Sequence, residues 1–235
     1  MVTRAQRERA RAALEGLKGL YPEARSELDF IPEDPWRLLV SVVLSAQCSD
    51  AAVNRVTPAL FRAFPDVHAF ARVEPKHLEP HLKTLGLYRN KARNLVLAAQ
   101  QVTTLHGAVV PREREALQRL AGVGTKSAAV IVANAYGTPV IAVDTHVGRV
   151  ARRLGLTRHH DPDRVEATLT ALIPRERLLE AHHTLIWHGR RVCDARTPRC
   201  HACGVEPACR KVGVPKRSLE ALARAKATAE GPARR

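Results

Sequence analysis

Apolar residues recur every three or four positions along nearly the whole chain, the period of helices that pack by one face. Leu14, Leu17 and Tyr21 mark a first helix. Asp34-Pro35, a cap followed by proline at the first helical position, opens a second through Leu38, Leu39, Val42, Val43 and Leu44. A third starts after Asp50, passes Leu60 and Phe61 and stops before Pro65, and a short one follows Pro75. From Tyr88 to about His106, Ala92, Leu95, Val96 and Ala99 share one face, with Gly107 as the stop. Residues 113–120 lead into Ala121-Gly122-Val123-Gly124, and a helix resumes through about Tyr136 until Gly137 and Pro139 break it. Residues 140–143 are too short a β-branched run to establish a strand. Thr145 is placed to cap a helix through Leu154 that Gly155 ends, and Asp161-Pro162-Asp163 opens the next. Residues 176–191 form the last long helix; beyond Pro215 no core face continues past Leu222, which predicts a short frayed helix or a flexible basic tail. The fold class is all-α.

Aromatic residues are only 4%, so the core must rest on Leu, Val, Ile and Ala. The balance of 38 Lys+Arg against 23 Asp+Glu leaves a net charge of +15, which points to a polyanionic partner, most often nucleic acid. A generally basic proteome is the blander source of the same excess. No segment approaches the roughly 18 apolar residues of a membrane span, so no membrane partner is expected. The Arg-rich start resembles a transit peptide, but Glu8 and Glu15 interrupt it, and an ordinary first helix is the better reading. Nothing marks export, so a cytoplasmic, nucleoid-associated location is the expectation.

The chemistry concentrates at the turn Leu120-Ala121-Gly122-Val123-Gly124-Thr125-Lys126-Ser127-Ala128. Gly122 and Gly124 let the backbone turn sharply and approach a ligand closely. The amides that follow, from Val123 and Thr125 onward, sit at a helix N-terminus, where free N–H groups favour a phosphate. A plain turn between helices uses glycines in the same way. Lys126 falls in the first turn of the new helix, where the positive helix end disfavours an ammonium and, with partial burial, helps release the neutral amine. A neutral amine can form a Schiff base with a sugar carbon; the alternative is a solvated lysine that only contacts phosphate. Asp144 lies eighteen residues further on, enough for one helix and a return loop. An aspartate there is an N-cap, or a group that takes the lysine proton or stabilises a cationic sugar.

Cys193, Cys200, Cys203 and Cys209 fall within 17 residues, while Cys48 stands alone. So tight a cluster reads as metal binding rather than a disulfide framework. Four thiolates in a short loop can hold [4Fe–4S] or Zn²⁺, and one Cys-x2-Cys pair flanked by longer gaps leans towards iron–sulfur. Cys48 follows an apolar helix and reads as a small buried hydrophobe. His182, His183 and His188 share one helix and read as packing or hydrogen-bonding residues.

Taken together, these motifs resemble the endonuclease III family of helix-hairpin-helix DNA glycosylases. Residues 120–128 are similar to the family's hairpin, residues 137–144 to its Gly/Pro-rich loop and aspartate, and Cys193-x6-Cys200-x2-Cys203-x5-Cys209 to its iron–sulfur loop. Leu44-Ser45-Ala46-Gln47 and Leu82-Lys83-Thr84-Leu85-Gly86-Leu87-Tyr88 resemble further family segments, and the likeness runs from about residue 10 to about residue 213. It implies a helix-hairpin-helix glycosylase fold: a six-helix domain at 27–138, a discontinuous iron–sulfur domain at 1–26 plus 139–213, a cleft between them, and a basic tail at 214–235. It implies a [4Fe–4S] cluster on the four cysteines, Lys126 as nucleophile and Asp144 as its carboxylate. Gln47 and Leu87 become candidates to fill the gap left by a flipped nucleotide, where they otherwise read as a helix-end glutamine and a core leucine. His146 is placed to line the pocket, and Gly122, Val123, Gly124 and Thr125 to grip phosphate. The implied partner is double-stranded DNA with a damaged base or abasic site, met by a monomer. The implied reaction is removal of oxidised pyrimidines with strand cleavage by β-elimination. The rivals are an adenine-type monofunctional glycosylase, a branch without lysine at position 126, and a non-catalytic DNA-binding iron–sulfur or zinc module.

Overall fold

The computed structural model describes residues 3–30 and 33–230, and the final five residues of the expected basic tail lie outside them. Twelve α-helices are described: α1 (Arg4–Leu20), α2 (Pro35–Ser45), α3 (Asp50–Ala63), α4 (Val67–Ala71), α5 (Pro75–Leu82), α6 (Tyr88–Leu105), α7 (Arg114–Gln118), α8 (Thr125–Tyr136), α9 (Thr145–Leu154), α10 (Pro162–Leu172), α11 (Leu178–Arg191) and α12 (Lys216–Glu230). No strand occurs among the described residues; Ile141 and Ala142 are buried without pairing into a sheet. The chain divides into a contiguous unit, Ser26–Thr138, and a discontinuous unit, Met1–Arg25 with Pro139–Arg235.

In the contiguous unit, α2 is the central element. Residues from Leu38 to Leu44 are buried on every side of it, as expected of a helix apolar all round. Asp34 Oδ1 accepts the Arg37 amide at 3.0 Å and caps it, with Pro35 at the first position. α3 and α8 pack on α2, while α4 and α5 pack on α6. A short aromatic run closes one end: the rings of Trp36 and Phe70 meet edge to face at 5.4 Å. α8 ends where Gly137 adopts φ +63°, the left-handed turn that glycine enters without a Cβ clash.

In the discontinuous unit, α1 begins with a capping box between Thr3 and Gln6 and buries Ala10, Ala13, Leu14 and Leu17. These residues join Val150, Leu154, Leu169 and Leu185 in one core, which settles the first helix as structural. Trp187 Nε1 donates to the Arg25 carbonyl at 3.0 Å. Of the two caps that the sequence offers for α9, Thr145 is corrected and Asp144 holds: Asp144 Oδ1 accepts the Val147 amide at 2.8 Å, and Thr145 is the first helical residue. The tail is also corrected. α12 is a fifteen-residue helix that buries Ser218 and Leu222. Its anchors are polar and local to the cysteine loop: Arg217 Nη2 donates to the Arg196 carbonyl at 2.7 Å, and Glu206 pairs with both Lys211 and Lys226. Composition hides such a docked helix, because its partners lie on a loop with no periodicity.

Candidate active site

The hairpin belongs wholly to the contiguous unit. α7, the turn and α8 are held by Val123, whose side chain is buried, and by the Ala121 amide, which donates to Gln101 Oε1 at 2.8 Å. The two glycines differ. Gly122 has φ +79°, and a Cβ there would stand 2.9 Å from Asn94 Cβ and 3.2 Å from Val43 Cγ1. Fold and packing both require glycine at that position. Gly124 is extended, and a Cβ would meet nothing within 4 Å. Nothing inside the fold demands glycine there; its bare backbone faces outward as the N-cap of α8. With no side chain capping α8, its first-turn amides carry no intrahelical partner. Thr125 and Lys126 are exposed on that turn, so Lys126 lacks the partial burial that its placement in the sequence allowed for. Of the four turn residues expected to grip a ligand, Gly122, Val123 and Gly124 have only backbone to offer, and Thr125 adds an exposed hydroxyl.

Gln47 and Leu87 lie in the same unit and share an unexpected feature. Both are non-glycine residues in the left-handed region, at φ +57° and φ +58°. Gln47 follows the C-terminus of α2, and Leu87 sits at the N-terminus of α6. Leu87 is 57% exposed, which rules out the core-leucine reading. The left-handed conformation costs an ordinary residue about 1–2 kcal/mol, and such strain concentrates at functional sites. Beside Gln47, Cys48 is half-buried and Lys91, only 4% exposed, donates from Nζ to Cys48 Sγ at 2.9 Å. The small-hydrophobe reading of Cys48 therefore misses a polar contact.

The discontinuous unit carries Asp144, half-buried, with Oδ1 committed to the cap of α9. His146 follows on the first turn, its Nδ1 accepting from Arg149 Nη2 at 3.1 Å. Burial pulls the His146 imidazole below its ordinary pKa against the opposing pull of Asp144, which favours the neutral ring. A Cβ at Gly189 would stand 3.0 Å from His146 Cβ, so glycine on α11 sets how closely α9 and α11 approach. Sequence reasoning misses what holds the cysteine loop. Arg149 and Arg153, one turn apart on α9, donate to the loop backbone: Arg149 Nε to the Cys193 carbonyl at 3.1 Å, Arg153 Nη1 to Asp194 O at 2.6 Å and Nη2 to Ala195 O at 2.7 Å. The only trace in the sequence is a pair of arginines four apart on a helix whose neighbours Val150, Ala151 and Leu154 are core.

Cys193, Cys200, Cys203 and Cys209 line one small pocket, walled by Val150, Leu154, Val192, Pro198, Val205 and Val214. Among the described residues, no group of three or more His, Cys, Asp or Glu side chains is arranged to hold a single metal ion. The four thiols surround a space rather than converge on a point. Burial pushes the Cys203 thiol up to about 11, and burial likewise raises Cys200 and Cys209. In this pocket a thiolate needs a cation to offset its desolvation. N–H groups point at the sulfurs: Arg153 Nη1 reaches Cys193 Sγ at 3.4 Å and the Lys211 amide reaches Cys209 Sγ at 3.3 Å. Two of the buried histidines are hydrogen-bonded, His182 Nδ1 meeting the Ala142 carbonyl at 3.0 Å and His188 Nδ1 the Tyr21 hydroxyl at 3.2 Å, while His183 packs its ring edge to face against His182.

The chain is similar to known proteins over most of its length. Residues 40–175 match the HhH-GPD superfamily base excision DNA repair proteins. The chain is 43% identical to endonuclease III of Bacillus subtilis over 199 residues, 84% of this chain and 90% of that protein. It is 38% identical to endonuclease III of Escherichia coli K12 over 188 residues, 80% and 88% of the two chains. The solved structure of a trapped covalent intermediate of endonuclease III with DNA superposes with a TM-score of 0.83 at 42% identity, covering 90% of this chain and 97% of that one. A thermostable thymine-DNA glycosylase shares the fold, with a TM-score of 0.78 at 21% identity. This chain therefore belongs to the HhH-GPD superfamily of base excision DNA repair proteins and, within it, to the endonuclease III family of DNA glycosylases with AP lyase activity.

Proposed function

We propose that this chain removes oxidised pyrimidines from double-stranded DNA as a monomer, with Lys126 as the nucleophile. The observation that carries the reading is the uncapped N-terminus of α8: open amides follow the bare backbone of Gly124, and Lys126 stands on the same turn. Those amides hold a phosphate without reading sequence. The damaged nucleotide flips out at a cost of about a few kcal/mol. Gln47 and Leu87, held in strained backbone and, in the case of Leu87, largely exposed, take up the vacated stack. The neutral amine of Lys126 then attacks the sugar carbon, and the base leaves with the electron pair of the glycosidic bond. Asp144 accepts the lysine proton or stabilises the cationic sugar. The ring oxygen then leaves the same carbon with its bonding pair and takes up a proton as the sugar opens, which leaves a protonated Schiff base on Lys126. Loss of a proton from the neighbouring carbon expels the 3′ phosphate, and water hydrolyses the imine to free the lysine.

Cys193, Cys200, Cys203 and Cys209 would hold a [4Fe–4S] cluster. Four thiols around a space with apolar walls, with N–H groups aimed at the sulfurs, suit a cluster better than a bare ion. When bound, the cluster supplies the cations that keep the thiolates ionised and ties the loop to the fold.

Borohydride trapping on a duplex containing an oxidised pyrimidine tests the reading. Wild type should give a covalent protein–DNA adduct and Lys126→Ala none. Equal trapping by both proteins, or none by wild type, would overturn it.

A further inference from the structure

A groove of about 1040 Å³ opens in the discontinuous unit, between the start of α1, the loop after α9, α10 and the segment following Cys209. Among the described residues its lining holds Arg9, Arg158, Arg164, Arg210 and His159, and no carboxylate. Arg210 is set in place by packing: its aliphatic stem lies across Gly155, where a Cβ would stand 2.6 Å from Cδ. Gly155, at φ +80°, ends α9. Asp144 caps the other end of the same helix, and ten residues rise about 15 Å. The groove therefore lies at the opposite end of α9 from the carboxylate assigned to catalysis.

We propose that this groove is a second DNA-binding site, holding the phosphate backbone of a duplex segment other than the one at Lys126. Four guanidiniums without a carboxylate among them complement a polyanion. Thr157 and Thr168 add hydroxyl groups to the lining. No Phe, Tyr or Trp stands among the described lining residues to stack a base, so the groove suits phosphates rather than a nucleotide. The choice of DNA over an acidic protein rests on the reading that the hairpin face engages DNA, which brings more of the same polymer to high effective concentration.

The test uses wild type trapped by borohydride on a short lesion duplex, so that the first site is filled. A second, undamaged duplex with a different dye is then titrated in. Wild-type adduct should bind it, with an affinity that falls steeply with salt. Arg9→Ala/Arg158→Ala/Arg164→Ala should form the adduct normally but bind the second duplex with a shallower salt slope. The decrease should be about 2.7, from roughly 0.9 for each phosphate that the three arginines no longer neutralise. Arg55→Ala/Arg62→Ala/Arg72→Ala, which removes equal charge from exposed positions in the contiguous unit, should behave as wild type. Equal weakening by both triple variants, unchanged binding by the groove variant, or displacement of the duplex by polyglutamate at lower concentration than by unlabelled DNA would each overturn the proposal. Absence of adduct in wild type would instead count against Lys126 and leave the groove to be read from duplex binding to the free protein, where the same contrast between the two triple variants decides it.

Discussion

The hairpin and the cysteine loop are both irregular segments that carry function, and they are stabilised in opposite ways. The hairpin turn is short, its Gly-Val-Gly tip buries the Val123 side chain, and its glycine conformation is matched to Asn94 and Val43 behind it. It holds its shape from within its own unit. The cysteine loop has little apolar surface of its own, and its shape comes from outside: two arginines on α9 below it, α12 beside it, and thiols around a space. A turn built from backbone geometry can present bare amides to a ligand. A loop built from long side chains needs several partners present together.

The largest effect expected from breaking this contrast is at Arg153. Arg153→Met removes charge-assisted bonds to Asp194 and Ala195 carbonyls, each worth roughly 1.5–3 kcal/mol, for a loss of about 3–5 kcal/mol. Hydrogen exchange should accelerate across residues 193–209 while hairpin amides stay protected; uniform acceleration in both would contradict separate support. Next comes Gly122→Ala, which combines a left-handed penalty with a clash and should cost about 2–4 kcal/mol in urea melts. A variant as stable as wild type would show that the turn tolerates a Cβ.

The two units also differ in acid. The buried histidines, His182, His183 and His188, all belong to the discontinuous unit. Burial holds His183 at about 3, below its ordinary 6.5. The folded state thus binds fewer protons, so its contribution to stability is present above pH 6.5 and is lost as pH falls towards 3. Between pH 7 and 5 the loss should be about 2 kcal/mol, and His183→Gln should flatten that slope in thermal melts. An unchanged slope would place the acid sensitivity elsewhere. The smallest stability effect is at Gly124. Gly124→Ala should melt within about 0.5 kcal/mol of wild type, because nothing lies within 4 Å of the new Cβ. Yet it should weaken binding to DNA of any sequence at least about tenfold, since a methyl group now stands before the amides. Unimpaired binding would separate the turn from phosphate contact.

Much of this protein was legible in its sequence because it is local. Asp34-Pro35, Gly107, Gly137 and Asp161-Pro162 mark helix ends through the backbone of their immediate neighbours, and apolar periodicity exposes the buried faces between them. The spacing of four cysteines and the glycine turn before Lys126 are likewise contiguous patterns, and they carried the family resemblance. Periodicity could not show that α1 packs with α10 and α11 across more than a hundred residues. Nor could it show that Arg149 and Arg153 point at the loop, or that α12 docks through Arg217 and Glu206, because these contacts join residues with no fixed separation along the chain. The strained backbone at Gln47 and Leu87, and the difference between Gly122 and Gly124, were also decided only in three dimensions. A residue's letter states which conformations it tolerates; what stands against its Cβ, and so which conformation the fold requires, is set by the packing of distant helices.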